Sequence, residues 1–185
     1  VNFEYVKLAS HTTSTAASIS GTTVTGGTSG VVATVTTTSE ASSTAAATLY
    51  ITYTKTGTNN TSKTFTEGET ISGTTAEGTA FTAVVGTSGT SLPTSSNATG
   101  KASAVKVEEG VYFINGFFVK NSEETLILDA YTNTPTFRVG FTTTESFVTP
   151  EGDTSLNDNA QGTSNVNAPG AHRFKIALTL TKKTL

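Results

Sequence analysis

Large apolar residues alternate with threonine, serine or glycine along most of the chain, and no window of 12 or more residues carries them at the 3, 4 and 7 spacing of an amphipathic helix. Short β-branched runs bounded by Gly, Asn and Ser recur every 8 to 15 residues instead, which predicts an almost entirely β protein. The opening strand "NFEYVKL" places Phe3, Tyr5 and Lys7 on one side and Val6 and Leu8 on the other. After the polar stretch "ASHTTSTAAS" come "GTTVTG", "GVVATVTTT", "TLYITYTKT", "SKTFTEGETISG" and "AFTAVV". Within them Val24, then Val31, Ala33 and Val35, then Leu49, Ile51 and Tyr53, then Phe65 and Ile71 hold a period of two. One row of small apolar side chains per strand suits a small barrel or roll better than a wide sandwich.

The texture changes after residues 86–100, "GTSGTSLPTSSNATG", which have linker composition. Beyond them large apolar side chains become dense. The expected organisation is an opening strand (1–8) belonging with the later module or with an upstream part, a barrel-like module (9–90), a linker (91–100) and an antiparallel β-sandwich-like module (101–185). The fold class is therefore all-β, a Thr/Gly-rich barrel or roll followed by a sandwich-like module, with very little helix.

"GVYFINGFFVK", residues 110–120, is the most apolar stretch. Its Asn115-Gly116 pair predicts a two-residue type I′ turn, which needs positive φ at both central positions. Bulky side chains on both faces of the hairpin predict burial on both faces, one against the core and one against a neighbouring module or subunit. The candidate layers are Val111, Phe113, Phe117 and Val119 on one side and Tyr112, Ile114 and Phe118 on the other. Tyr112, Ile114, Phe117 and Phe118 are the candidate interface residues.

Composition narrows the function classes. Among 185 residues there is no Cys, Met or Trp, so thiol catalysis, disulfides and thiolate metal sites are excluded. Charged residues are 14% of the chain, well below the ~25% usual in soluble domains. Threonine and serine replace them, a composition frequent in secreted, cell-surface and virion β-proteins. A net charge of -3 offers no basic stripe for nucleic acid, and no apolar run reaches the length of a membrane span. A chain that begins at Val1 without any methionine is expected to have lost its first residues. The open alternation of "HRFKIALTLTKKTL" is expected to continue past Leu185.

Candidate chemistry is sparse. His11 lies in the polar linker, and His172 stands beside Arg173 at the start of the last strand; neither is expected to be a general base. No Gly-x-Ser-x-Gly elbow precedes Asp and His in hydrolase order. Neither a catalytic constellation nor a cofactor site is expected. Glu108 with Glu109 and Glu123 with Glu124 read as solvated charges at strand ends. Asp153, Asn157, Asp158 and Asn159 could face a hard cation, but they lack EF-hand register and serve equally as turn formers. Gly26, Gly27 and Gly30 form a tight turn; phosphate binding there lacks the following helix and lysine. Tyr112, Tyr131, Asn133 and Asn159 are the candidates for a sugar site, since aromatic faces paired with amides recognise carbohydrate. Asn59, Asn60 and Asn97 head glycosylation sequons of a kind that so Thr-rich a chain produces by chance.

Residues 105–183, most specifically "GVYFINGFFV", "LILDAYTNTPTFRVGF", "SFVTPEGDTSLNDNAQG" and "NAPGAHRFKIALTL", resemble a domain of uncharacterised function in large virion structural proteins of contractile-tailed bacteriophages, especially T-even-like cyanophages. The first half is similar, more loosely, to Thr/Gly-rich β-modules inserted in such proteins. The resemblance implies a structural part of a tail, baseplate or tail-fibre attachment region that works by assembly with other virion proteins. It brings no catalytic residues. A homo-oligomer is expected, a trimer by analogy with fibre-like assemblies; the competing reading is an adhesin module that touches a host surface glycan.

Overall fold

The computed structural model describes residues 2–13, 15–58, 61–159, 162 and 164–185, and the chain forms two compact units. The first comprises residues 1–105 and 127–135, the second residues 106–126 and 136–185.

The first unit is built around a closed barrel. Its strands are β1 (Asn2–His11), β2 (Thr23–Gly26), β3 (Val32–Ser39), β4 (Thr48–Lys55), β5 (Thr70–Thr74) and β6 (Ala80–Val85). They run in the order β1-β4-β3-β2-β5-β6, and pairing of β6 back onto β1 closes the ring. Every pair is antiparallel. Six antiparallel strands in a ring leave no open edge, which removes the usual route to edge-to-edge aggregation. The alternation that predicted the strands is the cause of the closure. Val24, Val31, Ala33, Val35, Leu49, Ile51, Phe65 and Ile71 all point inward with Val6, Leu8, Ile19, Phe81 and Val85, and Tyr53 packs against them half-buried. Each fully buried large aliphatic or aromatic side chain here stabilises the fold by ~1.5–3 kcal/mol.

β1 is the hub of this unit. One of its edges pairs with β4, Glu4 to Lys7 against Ile51 to Thr48. The other is shared: Asn2 to Val6 pair with β7 (Thr99–Val107), and Leu8 to His11 pair with β6, with a register shift between Leu8 and Ser10 inside that second pairing. The opening strand thus belongs to the barrel, not to the later module, and His11 is its last residue rather than part of a linker. The expected faces are correct. Phe3 and Tyr5 point outward with Tyr50, Ala102 and Ala104, and Ile127, Ala130 and Tyr131 pack against that layer. β4 is buried on both faces over its first four residues for this reason.

Residues 91–100 are not a linker either. Ala98 is fully buried, Thr99 opens β7, and the boundary between the units falls after Val105. The reason is Lys7, whose buried ammonium gathers the carbonyls of this segment, as described below.

The second unit contains two two-stranded ribbons. One is the hairpin β8 (Gly110–Ile114) and β9 (Phe117–Asn121), with Ile114 opposite Phe117. Asn115 at φ 49° and Gly116 at φ 90° form the expected type I′ turn. The other ribbon pairs β11 (Phe137–Val148) with β12 (Arg173–Thr184) along their full length. Its register puts Phe137, Val139, Phe141, Phe147, Phe174, Ile176, Leu178 and Leu180 on one face. Arg138, Thr142, Thr144, Ser146, Lys175, Thr179, Thr181 and Lys183 occupy the other. The hairpin lies on the apolar face, with Tyr112 edge-on to Phe141 at 4.9 Å and Phe117 against Phe174 at 5.7 Å. β10 (Glu124–Asp129) runs across the boundary between the units.

Candidate functional site

Two polar features hold the barrel unit together, and both use groups that resemble ligand-binding chemistry. The glycine turn after β2 does bind an anion, but the anion is the protein's own. The buried Glu69 carboxylate accepts from Thr28 N (3.0 Å), Ser29 N (2.9 Å), Ser29 Oγ (2.9 Å) and Thr66 N (2.6 Å). A Cβ on Gly26 would stand 2.7 Å from Glu69 Oε2, so only glycine lets the two turns close on one carboxylate. The turn's donors are thereby occupied, which removes the phosphate reading. The pattern "TEGE" marked the second turn but not the pairing of its last Glu with a turn 40 residues earlier.

Lys7 is the second feature. Its side chain is fully buried, its Nζ donates to the carbonyls of Ser91 (3.2 Å), Pro93 (2.7 Å) and Ser96 (2.8 Å), and it lies 5.0 Å from the centre of the Tyr131 ring. Burial lowers the lysine pKa, while three acceptors and a π face favour the charged form. Tyr131 also meets Tyr5 edge-on at 5.0 Å, and its hydroxyl is 3.2 Å from Thr48 Oγ1. It is a packing residue with its polar end satisfied.

The sugar-site candidates divide accordingly. Tyr131 and the exposed Asn133 belong to the first unit, Tyr112 and the exposed Asn159 to the second. Tyr112 packs on Phe141. Asp153 accepts from Ser155 N at 3.0 Å, the turn-forming role of an Asx residue. A bridge joins Asn157 to Pro169, with Leu156 as a buried anchor beside it. Among the described residues no three His, Cys, Asp or Glu side chains converge as a metal site. Asn59 and Asn60 lie outside the described residues.

The charge pairs are more engaged than expected. Glu108 and Glu123 both meet Lys106 at 2.9 Å, and Glu109 meets Lys120 at 3.2 Å. Glu124 accepts the backbone N–H of Leu180 at 2.9 Å and so ties the start of β10 to β12.

The feature with no internal explanation is the aromatic surface of the second unit. Phe118 is 81% exposed, Phe147 70%, Phe113 66% and Phe117 54%, and Val111 is also open. Phe113 and Phe118 touch across the hairpin at 5.3 Å between centroids, while Phe174 bridges Phe117 and Phe147 at 5.7 and 5.6 Å. Phe117, Phe118, Val119, Lys120, Phe174 and Ile176 line a groove of ≈ 310 Å³. Within this chain one hairpin face packs on the ribbon and the other is bare.

The expected layers also need correction. A two-residue turn sets Ile114 opposite Phe117 and Phe113 opposite Phe118, and opposite residues share a face. Tyr112, Ile114, Phe117 and Val119 therefore face the ribbon, and Val111, Phe113 and Phe118 face outward. Of the four candidate interface residues, Phe117 and Phe118 are open, whereas Tyr112 and Ile114 are half-buried inside the unit. Phe113, Phe147 and Phe174 were missed. The first was recoverable from the turn register; the other two depend on the pairing of β11 with β12.

Residues 34–184 match a family model described as Domain of unknown function (DUF4815). No curated protein and no solved structure matches the chain.

Proposed function

We propose that this chain, which belongs to the DUF4815 family, is a structural component of a bacteriophage tail, baseplate or tail-fibre attachment region and acts by assembly. The observation that carries the reading is the open aromatic surface of the second unit. Exposed contiguous apolar area of this kind marks a protein-protein contact, because water-exposed phenylalanines cost solubility and offer nothing to a monomer. The hydroxyl-rich, weakly charged surface and the resemblance of residues 105–183 to virion structural proteins point the same way. The barrel supplies a rigid, edge-free body, and the ribbon unit supplies the contact.

On this reading the protein is not an enzyme, its partners are copies of itself and other virion proteins, and it resides in the extracellular particle. The test is antibody labelling of intact virions with serum against residues 101–185, read by electron microscopy after mass spectrometry of purified particles. Label at the tail end or baseplate supports the role. Absence of the protein from the particle overturns it.

A further inference from the structure

The free edge of β9 has a geometry that selects a partner. The tight turn makes Ile114 and Phe117 a hydrogen-bonded pair, so by alternation Tyr112 with Val119 and Gly110 with Asn121 are bonded pairs too. The N–H and C=O of Phe118 and Lys120 consequently point away from β8. Among the described residues no strand pairs with that edge. The groove runs along it, lined by four consecutive β9 residues on one side and by Phe174 and Ile176 of β12 on the other. A wall of consecutive residues is a strand edge, and an apolar floor beside it is what an added strand covers.

We infer that the occupant is β9 of a second copy of this chain, joined antiparallel about a two-fold axis at Val119. This deepens the assembly reading above and rests on it. In that register Phe118 opposes Lys120 of the other copy, and both supply their outward N–H and C=O groups, so all five residues of β9 overlap. The ammonium then lies beside an aromatic ring. A register centred on Lys120 would instead set two like charges face to face. Lys120 is the one charged side chain on this edge; its pair with Glu109 at 3.2 Å is solvent-exposed and screens that charge only weakly. The β8 edge is less suited, since the carboxylates of Glu108 and Glu109 precede it directly in the chain.

The area fits a weak, reversible contact. At ~200 Å² per ring, the exposed parts of Phe117 and Phe174 come to roughly 200 Å² per copy. With two paired backbones and the Phe118–Lys120 side-chain contacts added, the total stays below the ~1,200 Å² of standard interfaces, in the range of transient ones. The product is a four-stranded sheet, β8-β9-β9-β8, carrying Val111, Phe113 and Phe118 of both copies on its outer face. A self-paired strand is isologous and closes at two copies, in place of the trimer expected from fibre-like analogy.

The absence of cysteine makes the register directly testable. Val119→Cys places two thiols across the axis, at the ~4.5 Å Cα separation of a non-hydrogen-bonded pair and within disulfide reach. Lys120→Cys faces Phe118 of the other copy and leaves its own counterpart beyond ~7 Å, outside that reach. Under mild oxidation Val119→Cys should run mainly as a covalent dimer on non-reducing gels and Lys120→Cys as a monomer. Sedimentation velocity of the unaltered chain should give a dimer, and Phe118→Pro, which removes one outward N–H but no β8-β9 bond, should shift it to monomer.

A chain that stays monomeric up to its solubility limit overturns the pairing, as does a trimer or a dimer in which Val119→Cys fails to cross-link. None of these results bears on whether the protein is found in the particle, so the labelling experiment judges the structural role separately.

Discussion

The two units are made from similar strands and reach opposite ends of the same problem, the disposal of edges and apolar faces. In the barrel unit every inward row meets another inward row, and ring closure uses both edges of each strand. Sixteen side chains form one buried cluster there, Val6 and Phe81 among them. The ribbon unit has the more amphipathic strands, yet its buried apolar residues among those described are Val119, Leu156, Leu178 and Leu180. Two ribbons of two strands cannot enclose a core, because each leaves two edges and part of a face open. The difference teaches that apolar density in sequence does not measure self-sufficiency. Here the denser half is the incomplete one.

The contrast breaks most sharply on paired phenylalanine substitutions. Phe81→Ala should cost the barrel ~3–5 kcal/mol, since the ring is fully buried and its cavity cannot collapse within a closed barrel. Phe118→Ala should change the stability of the isolated chain by less than ~0.5 kcal/mol, because the ring meets mostly water. The same substitution keeps the outward N–H and C=O but removes the ring that meets Lys120 of the other copy, so it should weaken self-association measurably. Urea unfolding followed by circular dichroism, with sedimentation on the same samples, reads both effects.

Lys7→Met should come next in size. It retains the apolar stem but leaves the carbonyls of Ser91, Pro93 and Ser96 without their donor, a loss of ~2–3 kcal/mol. Amide exchange should accelerate most in residues 91–98 and leave the ribbons unaffected. Glu69→Gln should cost somewhat less, ~1–2 kcal/mol, since an amide keeps one acceptor for the two turns.

The smallest effect is alkaline. Burial pushes Tyr53 up to about 12 and also raises Tyr5 and Tyr50. A raised folded pKa means that the unfolded chain ionises first, so these tyrosines stabilise the barrel fully below pH 10 and lose that contribution above it, Tyr53 as pH rises toward 12. Thermal melts across that window should show the barrel weakening in step with tyrosinate absorbance.

Period-two patterning identified the barrel interior almost residue for residue, because a small closed barrel buries one face and only one face of most strands. The Asn115-Gly116 turn was equally legible, its φ values being fixed by local sterics. The role of β1 was not. Its partners lie around residues 50, 84 and 101, and nothing local in "NFEYVKL" specifies three of them. The stretch 91–98 read as a linker because its contribution to the fold is made by backbone carbonyls, which leave no mark in side-chain composition. The Glu69 cradle was hidden because most of its donors are backbone N–H groups, which also leave no mark in composition. At the aromatic surface the residue types were visible and their facing was not, until the hairpin register separated Phe117 from Phe118.

The central claim, that the barrel unit is complete alone and the ribbon unit is completed by association, is tested most directly by hydrogen exchange of the intact chain over a dilution series. The account predicts that protection in β1, β3 and β4 is independent of concentration, while the amides of Phe118 and Lys120 become protected as concentration rises. Equal, concentration-independent protection of the β9 edge and the barrel would contradict it.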